Sequence, residues 1–136
     1  MRAFIDTNIL IYALELHPQY SEEAGEILGA IDTGKLTAVT SSLVLLEVSW
    51  YLESKKRLPE MQEAFNLIYE SKIQIHEVNL QDIKEAITSK TKHPNIDLND
   101  LINYHLMKRL EIKNIYTNDS HFDKLPGLQS HFNKHN

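Results

Sequence analysis

The chain has 136 residues, a formal charge of −5 and no cysteine. That length fits one domain, residues 1–136, and the absent cysteines exclude both a disulfide framework and a cysteine-based zinc site, which suits a reducing compartment such as the cytoplasm. No basic segment precedes a long apolar run, and the longest apolar stretch after the N-terminus, Leu43 to Leu46, is far too short to cross a bilayer, so neither signal peptide nor membrane span is expected.

In chain order, Arg2 to Ile5 predicts a first strand and Thr7 to about Glu15 a short helix. His17-Pro18 ends that helix, Ser21 is placed as the cap of the next, and Gly34 closes it. Leu36 to Thr40 reads as a second strand, followed by Ser41-Ser42 as the cap of a helix to about Lys55. Pro59 opens a further helix to about Ser71, and Ile73 to Val78 alternates as a third strand. Asn79 caps a helix from Leu80 to about Lys90. Leu98 to Ile112 is helical, and Asn114 to Thr117 is the last core strand. Strands alternating with helices imply an α/β protein, a central parallel sheet covered on both faces by helices.

In such folds ligands gather where the strands end. Asp6 follows the first strand and Asp119 the last, so both belong at one edge of the sheet. Taken alone, Asp119 is also good turn chemistry within Asn118-Asp119-Ser120. Glu47 shares a helical face with Leu43, Trp50 and Tyr51, and a carboxylate in an apolar stripe needs a partner, a proton or a metal unless it reaches water at the stripe's edge. Asp100 opens the Leu98 helix, where dipole compensation is the ordinary reason for an aspartate, and Asp97 competes with it for either role.

The chain resembles the PIN-domain family, in particular its small single-domain VapC-like toxins. The resemblance is carried by "FIDTNILIYAL", "SSLVLLEV", "LNDLINYHLMKRLEIKNIYTND" and "HFDKLPGL", in that order, from the initial Met to about Leu128. It implies a Rossmann-like three-layer α/β/α fold in which one acidic residue from each block meets at a metal site. Asp6, Glu47, Asp100 and Asp119 inherit those roles, with Asp97 as the alternative third acid. Asn8 and Thr117 match positions that support the acids or position substrate.

The implied activity is Mg²⁺- or Mn²⁺-dependent hydrolysis of RNA phosphodiester bonds, leaving a 5′-phosphate, in the toxin of a VapBC-type pair. All-oxygen ligands suit these hard cations. A cation would also answer the objection that an acidic pocket repels phosphate. An antitoxin partner is implied as well. Trp50, Tyr51, Leu58, Met61 and Phe65 beside Lys55-Lys56-Arg57 read either as internal core or as a surface for dimerisation or an inhibitory partner's helix, and the resemblance favours a homodimer.

Three other readings are carried. The first is an RNA-processing or RNA-decay nuclease without an antitoxin. The second is an inert binding module on the same fold, against which the retention of all four acids argues. The third is a phospho-acceptor domain, which would want paired acids at the first strand, where only Asp6 stands. Among the seven histidines only His131 and His135 have helical spacing, a poor basis for a zinc pair, and His105 reads as a satisfied core histidine.

Overall fold

The computed structural model describes residues 1–133. In chain order the elements are β1 (Arg2–Ile5), α1 (Thr7–Glu15), α2 (Ser21–Asp32), β2 (Thr37–Ser41), α3 (Ser42–Ser54), α4 (Leu58–Glu70), β3 (Gln74–His76), α5 (Leu80–Ser89), α6 (Leu98–Arg109), β4 (Asn114–Tyr116), a 3-10 turn (Ser120–Lys124) and β5 (Gln129–His131). The five strands form one parallel sheet in the order β3-β2-β1-β4-β5. Strand order reverses between β1 and β4, so right-handed crossovers send the helices before β3 to one face and α5-α6 to the other. The resulting architecture is the doubly wound α/β fold expected from the pattern.

The strands are short, but their side chains are apolar on both faces, as a sheet covered twice requires. Ala3, Phe4 and Ile5 are wholly buried, as are Val39 and Ile115 on the neighbouring strands. On the helices, Val44, Val48 and Leu52 recur at helical spacing and turn inwards, while Leu46 and Trp50 stay exposed. The α5-α6 hairpin is locked differently. Asn79 and Asp82 form a capping box at the start of α5, and buried Asp82 receives both Arg109 Nε and Nη2 at 2.9 Å. That fork is well matched to a carboxylate, and it holds Asp82 below the usual carboxylate range against the opposing effect of burial.

Several boundaries differ from the sequence expectation, each for a local reason. Ser21 is the first residue of α2, not its cap; the cap position is Tyr20, which makes no side-chain cap bond. Tyr20 instead packs with Tyr12, His17 and Phe132 in an aromatic cluster that fixes the α1-α2 corner. Helix α4 starts one residue before Pro59, and β3 is limited to Gln74–His76. Helix α6 ends at Arg109 because Glu111 takes a positive φ of 59° and turns the chain into β4. The largest omission is at the end of the chain. Asn114–Tyr116 is followed by a further parallel strand, β5, whose three residues carry no apolar alternation. His131 lies in β5, paired by its ring with Asn114, while His135 lies outside the described residues.

Candidate metal centre

The switch in strand order opens the carboxyl edge of the sheet between β1 and β4, and the chain delivers acidic side chains there from four separate segments. Asp6 is the residue after β1 and the N-cap of α1, its Oδ1 accepting the Thr7 N–H at 2.8 Å. Its own N–H continues the β1-β4 ladder to Tyr116 O at 3.0 Å, which fixes the backbone on both sides of the carboxylate. Thr117, the residue just after β4, donates its hydroxyl to Asp6 Oδ2 at 2.7 Å and accepts the Asp119 N–H at 3.0 Å. One buried hydroxyl therefore registers two of the acids against each other.

Glu47 stands in the second turn of α3, half-buried, with Thr7 Oγ1 donating to its Oε1 at 2.9 Å and Asn99 Nδ2 standing 3.5 Å from Oε2. Asp100 lies in the first turn of α6, half-buried and aimed at the other acids. Asp97 occupies the N-cap position of α6, but it is exposed and makes no cap bond with its side chain. Of the two aspartates in that segment, Asp100 is the one brought to the cluster. Asn8 Oδ1 accepts the Asn118 N–H at 3.3 Å, tying the segment before Asp119 to α1.

The electrostatics follow from this crowding. Burial pushes the Asp6 carboxyl up to about 6, and the charges of Glu47 and Asp119 add to the shift although the Thr117 and Thr7 bonds oppose it. Asp100 is raised further, to about 8, by burial first and then by the charges of Asp6 and Asp119, a hydrogen bond to Asp119, and Glu47. Asp6 and Asp100 are thus both perturbed by the acids around them, with Glu47 and Asp119 acting on each. A site that retains protons at neutral pH is a site short of positive charge. Its oxygen donors suit a hard divalent cation.

Three participants were not singled out in the sequence. Thr7 sits inside the opening motif, and its hydroxyl is recognisable only once α1 and α3 are known to touch. Asn99 is distinguished from other polar residues only by its neighbour Asp100. His121 had a stronger signal, two residues after Asp119. In the structure one of its ring nitrogens and one oxygen each from Asp100 and Asp119 lie within 4.8 Å of one another.

Residues 3–128 match the PIN domain family, and the chain belongs to it. Solved structures of similar fold include a VapC toxin and VapBC complexes. The Mycobacterium tuberculosis VapC20 toxin, described as cleaving the sarcin-ricin loop, superposes with a TM-score of 0.77 at 16% identity over 89% of this chain and 92% of that one. VapBC2 from Rickettsia felis, bound to a promoter DNA fragment, gives a TM-score of 0.71 at 24% identity over 96% and 98% of the two chains. VapBC-1 from nontypeable Haemophilus influenzae gives 0.69 at 20% identity over 96% and 97%. No curated protein sequence matches the chain. No helix among the described residues is long and apolar enough to cross a membrane.

Proposed function

We propose that this protein is a Mg²⁺- or Mn²⁺-dependent endoribonuclease and the toxin of a VapBC-type pair. The observation that carries the reading is the convergence of Asp6, Glu47, Asp100 and Asp119 from β1, α3, α6 and the segment after β4 onto one sheet edge, where the other three raise the proton affinity of Asp100. Asp6, Glu47, Asp100 and Asp119 would hold the cation. A bound cation supplies an activated water and neutralises charge at the scissile phosphate.

The chain's own contribution is arrangement. Thr117 and the Thr7 N–H fix the two oxygens of Asp6, and Thr7 Oγ1 orients Glu47. Asn8 restrains the segment that carries Asp119. Such supporting contacts typically decide 10- to 100-fold in metal affinity or activity, by roughly that factor per contact. Burial and the neighbouring acids hold the Asp100 carboxyl well above the usual range, so it would release a proton on holding a cation.

A homodimer belongs to the same proposal. Trp50, Leu58 and Phe65 are 50%, 61% and 41% exposed on the adjacent helices α3 and α4, and a cleft of about 560 Å³ lined by Leu43, Leu45, Leu46 and Phe65 runs beside them. Tyr51 and Met61 are partly withdrawn into the core. A contiguous apolar surface of this kind favours association. The antitoxin partner rests on the VapBC complexes of like fold.

The nuclease reading is tested by incubating a panel of structured RNAs with the protein in Mg²⁺, in Mn²⁺ and in EDTA. Cleavage with 5′-phosphate ends in either metal and none in chelator is the expected result. Undiminished cleavage in EDTA refutes it.

A further inference from the structure

The donor set at the sheet edge is not all oxygen. His121 begins the 3-10 turn's second position, its backbone N–H held by Asp119 Oδ1 at 2.9 Å and its Nδ1 standing 3.2 Å from the same oxygen. The backbone bond to that carboxylate oxygen, with the ring nitrogen beside it, places the imidazole on the side of the cluster. The side chain is 43% exposed, so burial gives no reason for it to turn inwards. One ring nitrogen nonetheless falls within 4.8 Å of oxygens on both Asp100 and Asp119, the only such grouping among the described residues.

We propose that His121 is a nitrogen ligand of the metal centre and biases it towards transition cations such as Mn²⁺ over Mg²⁺. The inference rests on the nuclease reading above and adds which cation this chain's site prefers. Mg²⁺ is small, holds its waters and takes oxygen ligands almost exclusively, whereas imidazole is a good donor to transition ions. Replacing one oxygen donor by a nitrogen therefore strengthens Mn²⁺ binding while offering Mg²⁺ little. His121 also brings no negative charge, so it adds a donor without adding to the repulsion already stored among the four acids.

The competing role is purely positional: His121 could serve only to aim Asp119. The two roles separate by substitution. His121→Asn can still donate a hydrogen bond to Asp119 but is a poor ligand for Mn²⁺, so a positioning role is rescued by Asn and a ligand role is not. The experiment measures Mn²⁺ and Mg²⁺ affinities of the RNA-free full chain by calorimetry, alongside electron spin echo modulation of bound Mn²⁺, for wild type, His121→Ala and His121→Asn, with melting curves to confirm folding.

The expected result is ¹⁴N modulation in wild type that vanishes in both variants, a loss of Mn²⁺ affinity of about tenfold or more, and a change in Mg²⁺ affinity below about threefold. Bound Mn²⁺ without nitrogen modulation overturns the assignment, and so does an equal weakening of both metals or rescue by Asn. Should wild type bind neither cation at millimolar concentration, the nuclease reading fails together with this one.

Discussion

Asp100→Asn keeps the shape of the side chain and removes its charge, so it tests whether four acids truly share one site. The folded-state pKa of Asp100, about 8, lies above the ordinary value of 3.8, so the folded protein holds a proton that the unfolded chain releases. The associated stability is complete below pH 3.8 and is lost progressively as pH rises to about 8. By pH 7, about three units above the ordinary value, roughly 4 kcal/mol of it has been lost, at about 1.4 kcal/mol per unit. A single pair at the 4.8 Å limit seen between Asp100 and Asp119 repels by about 3.5 kcal/mol at an effective dielectric of about 20. The Asp119 side chain is 32% exposed, and solvent screening brings the net gain for Asp100→Asn to about 2 kcal/mol. For a chain of this size that is a rise of about 6 °C in Tm at pH 7, and under about 2 °C at pH 5. Scanning calorimetry on EDTA-treated wild type and variant at pH 5, 7 and 8 reads the difference directly. A variant less stable than wild type at pH 8, or a difference that does not grow with pH, would refute the shared-site argument. Added Mn²⁺ should raise the Tm of wild type and leave the variant nearly unchanged, because that shift is binding to the folded state.

Thr117→Val removes the hydroxyl that Asp6 and the Asp119 N–H share; RNA cleavage should fall about 10- to 100-fold, with about 1–3 kcal/mol lost from denaturant-derived stability. Arg109→Ala leaves Asp82 buried without its fork and should lower stability by about 3 kcal/mol at pH 7, while RNA cleavage per folded molecule is unchanged. Trp50→Glu should convert the proposed homodimer to a monomer by light scattering, and a wild-type monomer at high micromolar concentration would remove the dimer from the account.

The fold was legible because its signals are local and repeated. Apolar triplets such as Ala3-Phe4-Ile5 can be satisfied only between two helical layers, and caps such as Asn79 and Ser41 are used as their chemistry suggests. β5 escaped notice because Gln129 is exposed and Ser130 and His131 are half-buried at the sheet's edge, where pairing with β4 rather than an apolar pattern makes the strand. Ser21 misled because a good capping residue stands one position inside the helix whose entry is fixed by Tyr20 stacking on His17 and packing against Tyr12. At the site, the strand-end positions of Asp6 and Asp119 followed from topology. The choice between Asp97 and Asp100 did not, since both stand in the α6 entry and only the helix orientation sends one to the cluster and the other to solvent. His121 was missed because a histidine has no periodic signature, and its meaning comes from Asp100, a residue 21 positions away.

The claim that the convergent acids form a metal-dependent ribonuclease centre is tested most directly by comparing RNA cleavage by Asp100→Asn and Asp97→Asn in Mn²⁺. The two positions are three residues apart at the start of one helix, and both variants should fold. Asp100→Asn should lose at least about a hundredfold in rate, whereas Asp97→Asn should stay within about threefold of wild type. Cleavage that survives Asp100→Asn, or that Asp97→Asn abolishes instead, would contradict the account.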